Sequence, residues 1–141
     1  MTLCYLGLGS NLGSPERQIR KALHALRLVP DSNIRKVAKF HYSKAWGRRG
    51  VPDYCNTVIA LNTRLNPQSL LRFCQKIEYH QGRIRQVRWG ARTLDIDILL
   101  YGSQTIKTKD LKIPHPRMYQ RDFVMIPLLE IANINHLPFL E

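Results

Sequence analysis

With 141 residues, 44% of them hydrophobic and 23% charged, the chain has the composition of one folded domain spanning 1–141; it is neither disordered nor long enough for two cores. Its 22 lysines and arginines outnumber 10 aspartates and glutamates, and the formal charge of +12 points to an anionic partner: nucleic acid, a phosphorylated metabolite or an acidic membrane surface. Cys4, Cys55 and Cys74 form no Cys-x-x-Cys pair, no basic stretch leads into an apolar signal segment, and no apolar run approaches membrane-spanning length. We therefore expect a soluble, cytoplasmic protein without disulfides or structural zinc.

Residues 2–8 read as a short buried strand, ended by the turn-forming run Gly9-Ser10-Asn11-Leu12-Gly13. A helix follows, with Ser14 as N-cap, Pro15 at the first helical position, and Ile19, Ala22, Leu23 and Leu26 recurring at helical spacing as far as Pro30. Two strands are expected next: residues 33–43, around Ile34, Ala38, Phe40 and Tyr42, and residues 54–63, through Thr57, Ile59 and Leu61. The loop between them carries Trp46, Arg48 and Arg49, more chemistry than a connector needs. Asn66-Pro67 starts a second helix whose buried stripe is Leu70, Leu71, Cys74 and Ile77, and which ends near Gly82. An arginine-rich loop then leads to a strand over 94–101, closed by Gly102. The order β-α-β-β-α-β predicts an α+β, ferredoxin-like sandwich with extra C-terminal elements. These are a weak strand at Thr105-Ile106, the loop Ile113-Pro114-His115-Pro116, and a short helical stretch from Arg121 to Met125 that Pro127 interrupts.

The strand at 94–101 carries the sharpest chemical signal. Its period of two turns Leu94, Ile96 and Ile98 to the core and sends Asp95 and Asp97 out of the opposite face together. Two ionised carboxylates about 6–7 Å apart repel by roughly 2–3 kcal/mol at an effective dielectric of about 20, a cost that a divalent cation removes. Hard oxygen ligands on a rigid strand, beside Arg83, Arg85, Arg88 and Arg92 with no acid among them, suit magnesium and a polyphosphate.

Other residues keep two readings at this level. His115, held between two prolines, is a surface residue or a site residue. Tyr54, Asn56, Phe123 and Trp46 are core, or an aromatic slot with an amide that reads a flat heterocycle. Of Gln75 and Glu78 on the second helix, at least one is expected to be exposed. The glycines at 7, 9 and 13 miss the G-x-G-x-x-G spacing by one place, and no Walker P-loop is present. A basic sandwich of this order is also the shape of an RNA-recognition domain, but neither central strand carries the aromatic pattern that such a domain needs, so we expect no nucleic-acid partner. A metal-dependent nucleotidyltransferase would use the same acids and release pyrophosphate.

Five segments, in order and spacing, carry a resemblance: Gly9-Ser10-Asn11-Leu12-Gly13, Pro52-Asp53-Tyr54-Cys55-Asn56, Gly82-Arg83-Ile84-Arg85, Arg88-Trp89-Gly90-Ala91-Arg92-Thr93-Leu94-Asp95-Ile96-Asp97, and Pro114-His115. Over nearly its whole length the chain resembles the hydroxymethyl-dihydropterin pyrophosphokinase family. The resemblance implies folate biosynthesis, with ATP donating its β,γ-pyrophosphoryl group to the dihydropterin and leaving AMP. It implies Asp95 and Asp97 as ligands of two magnesium ions and Arg83 and Arg92 as catalytic arginines. On the ATP side it implies Arg85, Arg88 and Trp89 in a closing loop, with Gln75, Glu78, Ile98, His115 and Arg121. For the pterin it implies Tyr54 and Phe123 sandwiching the ring, Asn56 on its edge, and Ser43, Ala45 and Gly47 lining the pocket. Ala91, Lys44 and Pro116 depart from residues common in the family. A monomer whose substrates are small molecules, with no membrane partner, completes the expectation.

Overall fold

The computed structural model describes residues 1–11, 14–43, 54–82 and 94–133. Its frame is an antiparallel sheet of β1 (Thr2–Ser10), β2 (Ser32–Val37), β3 (His41–Ser43), β4 (Tyr54–Thr63) and β5 (Asp95–Tyr101). The strands lie in the order β2-β4-β1-β5, and β3 pairs with the beginning of β4. This is the predicted ferredoxin-like arrangement, in which β1 and β4 are central because each is apolar on both faces.

Two helices cover one face. Helix α1 (Pro15–Arg27) begins where Ser14 and Pro15 predict, with the Gln18 N–H donating to the Ser14 carbonyl at 3.0 Å. The Ser14 hydroxyl itself makes no capping bond, so the start rests on the proline and on burial of Ile19, Ala22 and Leu26. Helix α2 (Pro67–His80) has the full cap, the Asn66 Oδ1 accepting from the Ser69 N–H at 2.8 Å. Leu70, Cys74 and Ile77 meet Cys4, Leu6, Leu8, Leu94, Ile96 and Ile98 of the sheet. Gly82, just past the helix, has φ +84°, a left-handed value that glycine adopts freely.

Three expectations about the chain are corrected. The single strand expected over 33–43 is two, because pairing with β4 breaks at residues 38–40. The first strand does not end at Gly9 but runs through it to Ser10, paired on both sides with β4 and β5. Pro127 does not interrupt the last helix: α3 (Asp122–Ile131) passes through it, and Val124, Pro127, Leu128 and Ile131 are all buried. Packing that stripe on Tyr5, Val58, Ala60, Leu99 and Leu100 outweighs the one helical bond proline cannot make. The weak strand at 105–106 exists as β6 (Ile106–Lys107), paired with β7 (Lys112–Ile113) in a small hairpin.

Helix α3 covers only part of the second face. The bulge in β5 makes this possible: Leu6 pairs with Ile98 and Tyr5 with Leu100, leaving Leu99 as the extra residue. Leu99 and Leu100 both join the core beneath α3, while strict alternation would have put one on each face.

Candidate active site

The part of that face outside the apolar cluster under α3 holds the two acids. Leu94, Ile96 and Ile98 are buried in the helix-side core, and Asp95 and Asp97 alternate with them, so both carboxylates project from the opposite face as the period predicts. Across the sheet, Asp95 is opposite Gly9, which is opposite Asn56, which is opposite His41; Asp97 is opposite Gly7. Gly9 is there for space. A Cβ at that position would lie 2.5 Å from the Asn56 Oδ1, so only glycine lets the buried amide lie across β1. Sequence reasoning read Gly9 as a turn residue, and nothing short of the strand register could show its partner.

Asp95 and Asp97 sit on the edge strand, whose outer main-chain groups are engaged from two directions. The Ile96 N–H, between the two acids, donates at 2.8 Å to the Oε2 of Glu78 on α2, a carboxylate only 4% exposed. Three residues on, the Leu99 carbonyl accepts from the His115 N–H at 3.0 Å. Glu78 is therefore built into the strand that carries the acids, while Gln75 is exposed on α2 in the helical layer. The Ile98 side chain is buried in the helix-side core, so it is its main chain that can face a ligand at this edge.

His115 follows the cis Ile113–Pro114 bond and is half-buried. Burial holds its imidazole below the usual histidine range; Asp97 pulls the other way, and Arg121 and Arg117 add to the lowering. Its Nδ1 accepts from the Arg117 N–H at 3.3 Å, which puts the proton of the neutral ring on Nε2. Arg121 precedes α3, its guanidinium 5.6 Å from the centre of the Phe123 ring, and Phe123 is exposed on the first turn. On β4, Tyr54 and Asn56 share the face of Asp95 and Asp97, and Ser43 is the cross-strand neighbour of Tyr54. Arg83, Arg85, Arg88, Trp89, Arg92, Ala45 and Gly47 lie outside the described residues.

Among the described residues no three His, Cys, Asp or Glu side chains come together as a metal cage. Two carboxylates on an open face are a fitting donor set for magnesium, which keeps several waters and takes phosphate oxygens as its remaining ligands. The cysteines belong to the core: all three are free and buried, and burial pushes the Cys4 and Cys74 thiols up to about 12. On the far edge of the sheet an open groove is lined by Arg27, Asn33, Arg35 and Lys36, away from the acids.

An α+β sandwich that presents two acids beside a neutral imidazole, with an amide and aromatic rings across the same face, is suited to metal-assisted transfer between an anionic and a flat, polar substrate. The comparison with known proteins is specific. The model of the 7,8-dihydro-6-hydroxymethylpterin-pyrophosphokinase family matches residues 5–133, and the chain belongs to that family. It is 45% identical over 138 residues to the 2-amino-4-hydroxy-6-hydroxymethyldihydropteridine pyrophosphokinase of Haemophilus influenzae, covering 98% of this chain and 86% of that one. The enzymes of the same name from Pseudomonas aeruginosa and Aquifex aeolicus are each 44% identical, over 95% and 96% of this chain and 83% and 84% of theirs.

Proposed function

We propose that the open half of the sheet face is where the reaction of this family takes place. The chain transfers pyrophosphate from ATP to 6-hydroxymethyl-7,8-dihydropterin, giving AMP and the dihydropterin diphosphate, a step of folate biosynthesis. The hydroxymethyl oxygen attacks the β-phosphorus of ATP, the bond from that phosphorus to the α-phosphate oxygen breaks, and the hydroxyl proton is released. The observation that carries the location is the pairing of Asp95 and Asp97 on one side of Gly7 and Gly9 with Asn56 on the other.

In this reading Asp95 and Asp97 would hold two magnesium ions, whose positive charge would offset the negative charge facing the incoming oxygen. His115 offers its Nε2 proton to a phosphate oxygen, and Arg121 supplies a positive charge beside it. The edge of β5 at Ile98, between the contacts of Glu78 and His115, and the end of α2 at Gln75 and Glu78 take the nucleoside. Tyr54 and Phe123 stack on the pterin, Asn56 meets its polar edge, and Ser43, Ala45 and Gly47 line the pocket. Arg83 and Arg92 stabilise the transferring group while Arg85, Arg88 and Trp89 close over it. Closure matters because water would otherwise compete for the activated phosphorus.

We also read the protein as a cytoplasmic monomer. Free, buried thiols suit a reducing compartment. One sheet edge is engaged by Glu78 and His115, and the other carries a bulge with Arg35 and Lys36, both of which oppose pairing with another copy. Among the described residues no helix is long and apolar enough to cross a membrane.

Incubation with ATP, magnesium and the hydroxymethyl dihydropterin, followed by separation of the adenine nucleotides, tests the reaction. AMP is expected only when pterin and metal are both present. ADP would overturn pyrophosphoryl transfer, and free pyrophosphate as product would favour a nucleotidyltransferase.

A further inference from the structure

The break between β2 and β3 is closed by a residue from the last turn of α3. At residues 38–40 the chain leaves the ladder, although the Ala38 N–H still donates to the Val58 carbonyl at 2.9 Å and the Thr57 hydroxyl donates to the Ala38 carbonyl at 2.9 Å. The Lys39 N–H donates at 2.7 Å to the Oε2 of Glu130. The other carboxylate oxygen of Glu130 lies 3.6 Å from the His41 Nε2, which is buried and makes no hydrogen bond among the described residues. His41 is the cross-strand neighbour of Asn56, and Ser43, two residues on, that of Tyr54.

One carboxylate thus ties the end of α3 to the strand that flanks Asn56 and Tyr54, while the first turn of the same helix carries Phe123. A ten-residue helix is a rod of about 15 Å, stiff enough to transmit a displacement from one end to the other. We propose that Glu130, with His41, is a positioning device for the heterocycle pocket: it sets the separation between the β3–β4 wall and the α3 wall and so selects for a flat bicyclic ring. The device rests on the assignment of Tyr54, Asn56 and Phe123 to the pterin pocket. Neither Glu130 nor His41 touches the reacting atoms.

The test is a set of steady-state measurements on the whole chain, with each substrate varied in turn. Loss of a charge-assisted bond at this clamp should raise KM for the dihydropterin about tenfold in Glu130→Ala and leave KM for ATP unchanged. Glu130→Gln keeps an acceptor for the Lys39 N–H and should restore most of that KM, a rescue that general destabilisation would not give. His41→Leu, which spares the clamp on Lys39, should shift the same KM about threefold in the same direction. If Glu130→Ala fails to fold, His41→Leu decides alone: an unchanged KM for the pterin overturns the proposal. Equal effects on both KM values, or a loss in kcat only, also overturn it. Asn56→Ala is the control: if it leaves the pterin KM unchanged, the pocket assignment falls and the clamp with it, whereas a rise in Asn56→Ala with none in Glu130→Ala removes the clamp alone.

Discussion

The two halves of the sheet face on which α3 packs are built from the same strands yet serve opposite ends. Where α3 lies, the strands contribute Tyr5, Val58, Ala60, Leu99 and Leu100, and helix and sheet bury these together. A few residues along, the same strands contribute Gly7, Gly9, Asn56, Asp95 and Asp97, which lie outside that apolar cluster. Apolar side chains recruit a cover because burying them is favourable, whereas ionised carboxylates are costly to bury and stay outside such a core. The lesson is that stability and chemistry are separated along the strands rather than between them. Position on a strand predicts what a mutation will disturb.

Removing an acid from the second of these halves should cost activity while the fold is kept. Asp97→Ala is expected to lower AMP formation about a thousandfold or more, since the lost ligand supports several kcal/mol of charge stabilisation at the transferring group. The variant should keep the fold, with a cooperative thermal transition like that of the parent. Retained turnover would remove the metal role from this residue.

The covered half should behave the other way. Leu128→Ala empties a fully buried site beneath α3, so urea denaturation should report a loss of about 2–5 kcal/mol, while KM for ATP stays as in the parent when assayed below the unfolding transition. A shift in the ATP constant would mean that the two halves are mechanically coupled.

The smallest effect belongs outside the face, at the start of α1. There the Tyr42 hydroxyl donates to the Glu16 carboxylate, which also pairs with Arg20 at 2.6 Å. The bond from Tyr42, then that from Arg20, lowers the Glu16 pKa from 4.5, and the same bond to Glu16 raises that of Tyr42 to about 12. Glu16 therefore contributes stability that is complete above 4.5 and fades as pH falls through its lowered folded value. The Tyr42 contribution is complete below 10 and fades as pH rises toward 12. Tyr42→Phe should lower the thermal midpoint slightly at neutral pH, and the difference from the parent should vanish on acidification. A difference that persists in acid would assign the effect to packing.

Local rules were enough for much of this molecule. Asn66-Pro67 and Ser14-Pro15 mark helix starts because proline's fixed φ acts within a single turn, with a side-chain cap added at Asn66 alone, and Asp95 and Asp97 share a face because strand alternation needs no partner. Where a distant residue decides, local rules fell short. Gly9 looked like a turn until β4 brought Asn56 across it, and Pro127 looked like a helix breaker until the sheet supplied enough apolar surface to hold α3 together.

From its sequence alone this protein was determined to be a basic α+β chain with two acids on one face of a strand, since composition, periodicity and spacing are properties of the chain itself. Only the tertiary structure decided that Glu78 engages the strand between those acids, that Glu130 closes the break beside His41, and that the Asn56 amide lies across β1 at Gly9. Those contacts join residues 18, 91 and 47 positions apart in the chain, at Glu78–Ile96, Lys39–Glu130 and Gly9–Asn56. Hydrogen bonds and close packing act over a few ångströms of space, and only folding sets which residues fall within that range.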